Sequence, residues 1–240
     1  MKIACLGDIH SRPIWKDVVD HIFDDVDKII LLGDYVDPYK YEFKEQIDSF
    51  KILSDVIELK NKYPEKIINI IGNHDAHYLF NDIQPCSRYD RDNASAYRAL
   101  FNINKHLFQY AYQVENHLFT HAGISNDWFE LFEDSLKSFG LIDKYNIADV
   151  LNTMGNDKIG NRILNSVGYI RGGDCNAGGI VWSDYSETCR DFLVGIHQYA
   201  GHTKVKYIHT EKNETGSITY CDVLATPNEN MKYNYHLVNV

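Results

Sequence analysis

The chain has 240 residues, of which 44% are hydrophobic and 24% are charged, and its formal net charge is -10. This composition is typical of a globular protein and excludes disordered and fibrous classes. No run approaches the ~18 consecutive apolar residues of a membrane span, and the acidic balance gives no general attraction for DNA or RNA phosphates. The N-terminal segment turns acidic at Asp8, before a secretory apolar region could form, so we expect a cytoplasmic protein.

The first 75 residues alternate between strand and helix patterns. Three short apolar runs that each end at a glycine predict buried strands at residues 3–6, 28–32 and 67–71. Apolar residues at helical spacing predict helices at residues 14–23 and 43–60. This alternation indicates right-handed β-α-β units and a partly parallel sheet.

The remainder of the chain has a different pattern. Residues 76–98 are polar and contain several arginines, residues 126–165 are helical in pieces, and residues 168–179 form a glycine-rich loop. Beyond residue 190, strand patterns occur at residues 192–195, 205–208, 218–224 and 235–240. Strands without intervening helices predict antiparallel additions to a second sheet. No linker or repeat interrupts the chain, so we expect a single domain over residues 1–240.

Metal-type ligands directly follow each of the three opening strands. The segments read Gly7-Asp8-Ile9-His10, Gly33-Asp34-Tyr35-Val36-Asp37 and Gly72-Asn73-His74-Asp75. Because ligand sites of open α/β sheets lie at the carboxyl ends of the strands, we expect these side chains to meet at one edge. Carboxylate, amide and imidazole ligands suit Mn²⁺, Fe²⁺ or Zn²⁺, and the absence of cysteine argues against a purely structural zinc site.

Two further histidines stand in similar positions, His121 in the segment THAG and His202 in the segment GHT. The motifs GDIH, GDYVD, GNHD, THAG and GHT, in this order over residues 7–203, resemble the calcineurin-like metallophosphoesterase superfamily. GDYVD together with GIVWSDY at residues 179–185 is most similar to the serine/threonine protein phosphatase branch, including its small bacteriophage and bacterial members.

The resemblance implies an α/β fold, a four-layer α/β/β/α sandwich of two mixed sheets with a dinuclear metal site at the strand carboxyl ends. It implies that Asp8 and His10 bind the first ion and that Asp34 bridges both ions. The second ion would be held by three further ligands: Asn73, His121 and His202. Two divalent ions are implied, with manganese favoured and iron, zinc or nickel compatible.

The resemblance also implies a reaction. A hydroxide that bridges the two metals would attack phosphorus directly. His74 would be the general acid that protonates the leaving alkoxide, and Asp37 would hold His74 in its protonated, oriented form.

Two positions depart from the family pattern. Protein phosphatases typically have an arginine that clamps phosphate where this chain has Pro38, so another group must grip the substrate; the candidates are Arg88, Arg91, Arg98 and Arg171. Many superfamily members have a further metal-binding histidine where this chain has Lys204, although the protein phosphatase branch also lacks it. Of the other histidines, His77 is the one that could line the cleft, and Asp184 could support a ligand histidine.

These observations favour a metal-dependent phosphomonoesterase that acts on phosphoserine or phosphothreonine. The missing arginine leaves open a nucleotide-directed alternative, a dinucleotide polyphosphate hydrolase or a phosphodiesterase. A catalytically inactive interaction module is disfavoured, because such proteins usually lose metal ligands or the acid histidine. The expected partner is a phosphorylated protein or nucleotide, with no general nucleic-acid binding and no membrane association, whereas the oligomeric state is left open.

Overall fold

The computed structural model of the chain describes residues 1–45, 47–226 and 233–240. The described residues form two five-stranded sheets. The first contains, in spatial order, β10 (His236–Asn239), β1 (Lys2–Leu6), β2 (Lys28–Leu31), β3 (Ile67–Ile70) and β4 (Phe108–Gln109). The second contains β5 (Ala111–Val114), β6 (His117–Thr120), β7 (His197–Ala200), β9 (Ser217–Tyr220) and β8 (His209–Lys212).

Both sheets are mixed. Strands β1 to β4 are parallel and β10 lies antiparallel to β1. Strands β6, β7 and β9 are parallel, whereas the edge strands β5 and β8 are antiparallel to their neighbours. The carboxyl ends of three neighbouring strands therefore meet at one edge of each sheet.

Nine α-helices occur in the described part of the chain. They are α1 (Ile14–Ile22), α2 (Ser49–Lys62), α3 (Asn73–Leu79), α4 (Ala94–Ile103), α5 (Asn126–Leu131), α6 (Glu133–Ser138), α7 (Ile147–Met154), α8 (Lys158–Leu164) and α9 (Tyr185–Thr188). Short 3₁₀ turns complete several connections, including Lys40–Glu42.

The two faces of each strand pack against different layers. Cys5 of β1 is buried with Phe119 of β6 and Tyr199 of β7, so this face of the first sheet lies against the second sheet. Leu6, the next residue, is instead buried in the cluster that contains Trp15 of α1. The alternation of β-strand side chains thus explains the four layers, with helices outside two facing sheets. The expected α/β/β/α sandwich is confirmed.

Helix α2 begins later than the apolar periodicity predicts. The predicted start was residue 43, but Asp48 accepts a hydrogen bond from the Lys51 backbone N–H at 2.9 Å and caps a helix that starts at Ser49. An aspartate in this position satisfies a backbone N–H group that has no partner within the helix. The three opening strands and α1 lie within one or two residues of their predicted bounds.

The C-terminal third departs further from the predicted strands. Residues 192–195 are not a strand: Phe192 forms one isolated bridge with Ser125, and Gly195 turns the chain with a φ of 76° into β7. Residues 205–208 are also irregular, and the strand begins at His209, where pairing with β9 starts. The last strand, β10, joins the first sheet and not the second, because its hydrogen-bond partner is β1.

Among the described residues, none of the helices has both the length and the apolar character that crossing a membrane requires.

Candidate active site

The ends of five strands bring the expected ligand residues to one edge of the molecule. Asp8 and His10 follow β1, Asp34 follows β2, and Asn73 is the first residue of α3 after β3. From the second sheet, His121 follows β6 directly and His202 follows β7. All of these side chains except His202 are at most 4% exposed, so the cluster is buried where the ends of the two sheets meet.

Asp34 lies at the centre of this cluster. Its Oδ2 atom is 3.4 Å from Nε2 of His10 and 3.6 Å from Nε2 of His121. On one side, Oδ2 of Asp8 lies 3.7 Å from Nε2 of His10. On the other side, Nε2 of His121 lies 3.1 Å from both Oδ1 of Asn73 and Nδ1 of His202. Two groups of potential ligands therefore share one carboxylate.

The hydrogen bonds of the histidines show that this geometry suits divalent cations. Nδ1 of His121 contacts the Leu32 carbonyl oxygen at 2.6 Å, and because a carbonyl only accepts, Nδ1 carries the hydrogen and Nε2 the lone pair. Asn73 donates its amide N–H to Cys86, which leaves its oxygen facing that lone pair. Two ligands ~2.1 Å from one cation at right angles are ~3 Å apart, close to the observed separation. The residues present therefore fit a metal ion.

The charges of the cluster favour cation binding as well. Burial lowers the pKa of His10 to about 3 and the pKa of His202 well below its ordinary value, so both imidazoles keep a free lone pair at neutral pH. Burial alone would raise the pKa of Asp34. The surrounding imidazoles, first His121, outweigh burial and hold this pKa below its usual range, so Asp34 stays ionised.

Backbone contacts fix the cluster in place. The Asp75 carboxylate accepts hydrogen bonds from the backbone N–H groups of Asp34 at 2.7 Å, Tyr35 at 2.9 Å and Gly72 at 2.9 Å. A side chain at Gly72 would place its Cβ 2.2 Å from Oδ1 of Asp34, so glycine is needed there for space. By contrast, Gly33 has a φ of 102°, where glycine permits the turn itself.

Left-handed backbone is concentrated around this site. Seven non-glycine residues in the described ranges have positive φ, and all except Glu115 belong to the site or adjoin it: His10, Ser11, Asp34, Asp37, Arg88 and His202. Such conformations cost about 1–3 kcal/mol each and persist where the surrounding structure imposes them. Their clustering marks this edge as the functional part of the molecule.

His74 and Asp37 form a second unit beside the ligand cluster. Nδ1 of His74 lies 2.8 Å from Oδ2 of Asp37, and this carboxylate also meets Nε2 of His77 at 3.0 Å and accepts from the Tyr78 hydroxyl at 2.7 Å. Burial would lower the pKa of His74, but the charge of Asp34 and the hydrogen bond to Asp37 outweigh it and raise that pKa to about 9. The pair can therefore hold a proton near neutral pH.

Arg88 reaches the same place from the loop at residues 80–93. Its Nη2 atom is 2.8 Å from Nε2 of His74 and 3.5 Å from Nε2 of His10, and its Nε donates to the Asp37 carbonyl at 3.1 Å. A guanidinium only donates, so this contact competes with the proton that the raised pKa of His74 favours on Nε2. Protonation of that nitrogen therefore requires the guanidinium to move away.

The Arg88 guanidinium packs against the aromatic ring of Tyr39. Cζ of Arg88 lies 3.7 Å and Nζ of Lys204 lies 3.5 Å from the centre of the Tyr39 ring. Atoms this close to the ring centre must lie near its normal, and two cations cannot share one face, so the ring is held between them. Glu42 in turn accepts from Lys204 at 2.8 Å.

The other three candidate phosphate ligands lie farther out. Arg98 donates to Oδ1 of Asn81 at 2.5 Å and to the His77 carbonyl at 3.0 Å. Arg171 donates to Thr203, beside His202, at 2.8 Å and pairs with Asp184 at 2.7 Å, at the edge of the cleft. Arg91 is exposed and makes no hydrogen bond or ion pair with described residues of the site. Asp184 caps α9 and binds Arg171, with no hydrogen bond to a histidine in the described part of the chain.

Sequence reasoning did not single out two residues that support the site, Asp75 and Tyr78. Both carried a signal: Asp75 ends the GNHD motif, and Tyr78 follows His74 by four residues, one helical turn later. His77, which was expected only to line the cleft, is fully buried against Asp37.

Comparison with known proteins adds independent information. The family model for calcineurin-like phosphoesterases matches residues 1–203. Two similar solved structures are a cold-active protein-tyrosine phosphatase from a psychrophilic Shewanella species and a protein serine/threonine phosphatase from Saccharomyces cerevisiae. The first has 17% identity and a TM-score of 0.55 over 93% of this chain and 71% of the other. The second has 18% identity and a TM-score of 0.50 over 92% and 69%. No curated protein matches the sequence significantly.

Proposed function

The chain belongs to the calcineurin-like phosphoesterase family, whose model covers most of it, and we propose that it removes phosphate from phosphoserine and phosphothreonine in proteins. As a member of this family it is a phosphoric ester hydrolase that uses divalent metal ions. The substrate class is the proposed part. The observation that carries the substrate class is the segment GDYVD at residues 33–37 together with GIVWSDY at residues 179–185, which is most similar to the serine/threonine protein phosphatase branch. The position of the Asp34 carboxylate between Nε2 of His10 and Nε2 of His121 supports the metal-dependent hydrolysis that this class requires.

Two divalent cations would occupy the two ligand groups in this proposal. Asp8 and His10 would hold the first and Asp34 would touch both, while the second would also bind Asn73, His121 and His202. When bound, the cations would activate water and stabilise the charge that develops on the phosphate oxygens. Imidazole, amide and carboxylate donors in this ratio suit Mn²⁺, which we propose as the working metal, although Fe²⁺, Zn²⁺ and Ni²⁺ accept the same ligands.

His74 is proposed as the general acid. Asp37 accepts from its Nδ1, which orients the ring so that Nε2 faces the cleft. The same carboxylate is fixed by His77 and Tyr78, so the imidazole cannot easily rotate. Nε2 would give its proton to the departing oxygen of the ester, a step that typically contributes 10²–10⁴-fold to the rate.

Arg88 is proposed as the phosphate ligand that replaces the arginine absent at Pro38. Its guanidinium already lies beside His10 and His74, where a phosphate bound to the cations would be. When phosphate attracts this guanidinium, Nε2 of His74 is free to take up a proton from water, which its raised pKa of about 9 favours, and can then donate that proton to the leaving oxygen. Arg171, which donates to Thr203 beside His202, would be a second phosphate ligand on the opposite side of the site. An arginine in place removes the main argument for the nucleotide-directed alternative.

A substrate screen with Mn²⁺ tests this proposal. Phosphoserine, phosphothreonine and phosphotyrosine peptides, mononucleotides and dinucleotide polyphosphates are compared by kcat/KM, with Asp34→Asn as the matched inactive control. We expect the phosphoserine and phosphothreonine peptides to be the best substrates. Hydrolysis confined to dinucleotide polyphosphates, or a clear preference for phosphotyrosine, would overturn the proposed substrate class.

A further inference from the structure

Asp222 lies at the same edge as the proposed ligands, at the end of a neighbouring strand. Strands β7 and β9 are parallel with Ala200 opposite Tyr220, so Asp222 lies two residues beyond β9 as His202 lies two residues beyond β7. A Cβ built on Gly7 would be 2.6 Å from Cα of Asp222, so the backbone that carries Asp8 touches Asp222 directly.

Among the described residues, no hydrogen-bond donor and no cation pairs directly with the Asp222 carboxylate. The residue is 1% exposed, and neither carboxylate oxygen has a hydrogen-bond partner within the described ranges. Arg12 and Lys204, two cations of this region, both pair with Glu42 instead, at 2.7 Å and 2.8 Å. Buried carboxylates are normally paired or bound to metal, so this one lacks a positive partner.

The two proposed metal centres differ in their number of side-chain ligands. The second would have four, whereas the first would have three: Asp8, His10 and Asp34. On the basis of the proposed function, we infer that Asp222 belongs to the first metal centre and holds its cation, directly or through one water molecule. The cation supplies the positive charge that the buried carboxylate lacks, and Asp222 adds negative charge beside Asp8.

The inference is tested by metal binding to the variant Asp222→Asn, which keeps shape and removes charge. Glu211→Gln is the matched control, because it removes one charge from the adjacent strand β8, at the edge of the same sheet. Mn²⁺ binding is measured by titration calorimetry and by the electron paramagnetic resonance signal of free Mn²⁺. We expect Asp222→Asn to bind one ion with wild-type affinity and the other about 10–100-fold more weakly, the usual loss for a supporting group, while Glu211→Gln binds both normally.

Thermal unfolding of the metal-free proteins separates this role from a structural one. Removal of an uncompensated buried charge should leave the melting temperature of Asp222→Asn equal to or above that of the wild type. A lower melting temperature together with equal weakening of both ions would mean that Asp222 only supports the fold. Unchanged affinity for both ions would also overturn the inference.

A crystal structure of the Mn²⁺-loaded wild type decides the matter if the variant does not fold. An Asp222 oxygen bonded to the first ion, or to a water molecule on that ion, would support the inference, and a carboxylate turned away from it would refute it. If the wild type binds no metal at all, the proposed function itself fails, which is a distinct result.

Discussion

The two halves of the site are built in different ways. The cation-facing half comes from residues that directly follow β-strands, and hydrogen bonds between strand ends hold it, such as that from the His202 backbone N–H to Oδ1 of Asp8 at 2.8 Å. The phosphate-facing half comes from loops. Tyr39 lies in the connection between β2 and the 3₁₀ turn at Lys40–Glu42, and Arg88 lies in the connection between α3 and α4. The fold therefore sets the proposed metal chemistry, while the proposed phosphate contacts come from loop side chains that can change independently.

The strongest test of the cation-facing half is Asp34→Asn. It removes the only charge that both proposed cations would share, so kcat should fall by roughly 10³-fold or more, since metal stabilisation contributes several kcal/mol to the barrier. Elemental analysis should find fewer than two metals per chain, and circular dichroism should find the fold intact. Full metal occupancy with wild-type turnover would disprove the shared position.

The boundary between the halves is tested by His74→Asn. Loss of the acid should slow phosphoserine hydrolysis by about 10²–10⁴-fold, because a serine alkoxide is a poor leaving group. Hydrolysis of p-nitrophenyl phosphate should be much less affected, because nitrophenolate leaves without a proton. Metal content should stay normal. Asp37→Asn should show the same pattern more weakly, and the double variant should be no worse than His74→Asn.

Equal losses on both substrates would argue against the acid role of His74. Loss of metal in this variant would place the residue among the ligands instead.

The phosphate-facing half is tested by Arg88→Ala. Loss of a charged hydrogen bond of about 1.5–3 kcal/mol should raise KM for phosphopeptides by roughly 10–100-fold, with metal content unchanged. Pro38→Arg in the wild type should leave KM unchanged, because Arg88 already fills that space. Combined with Arg88→Ala, it should recover part of the loss. A lower KM for Pro38→Arg alone would mean that Arg88 does not grip phosphate.

A smaller effect is expected from Tyr39→Leu. The ring holds Arg88 by a cation–π contact of about 0.5–2 kcal/mol, so its loss should raise KM by roughly 2–30-fold and leave kcat nearly unchanged. Tyr41→Leu is the control, because its ring is 80% exposed and 5.6 Å from that of Tyr39. Similar KM values for the two variants would remove Tyr39 from the phosphate-facing half.

The last and smallest effect concerns the pH dependence of the metal-free protein. The pKa of His10 is lowered to about 3, so its contribution to stability is complete above pH ~6.5 and declines as pH falls toward 3. The pKa of His74 is raised to about 9, so its contribution is complete below pH ~6.5 and declines as pH rises through 9. The melting temperature of the metal-free protein should therefore decline as pH rises through 9, and His74→Asn should flatten this alkaline decline. An unaltered alkaline decline would assign it to other groups.

The same division explains what could be predicted from the sequence. Asp8, Asp34 and Asn73 each follow a buried apolar run and a glycine, so strand periodicity alone brings them to one edge. The sequence could not distinguish Arg88 from the other candidate arginines, because Arg88 lies in a loop and the path of a loop cannot be predicted from periodicity. The position of β10 was predicted wrongly for a related reason: residues 235–240 read equally well as a strand of either sheet, and only its pairing with β1 decides.

The left-handed backbone at the site has a consequence for directed evolution. Glycine at Asp34, Asp37 or Arg88 would relieve up to about 1–2 kcal/mol of backbone strain at each position. A library selected for heat resistance alone would therefore accumulate glycine at these positions and lose activity as it gained stability. Ser11, whose φ is 58° and whose side chain has no proposed chemical role, is the position where such a library could take glycine without losing function.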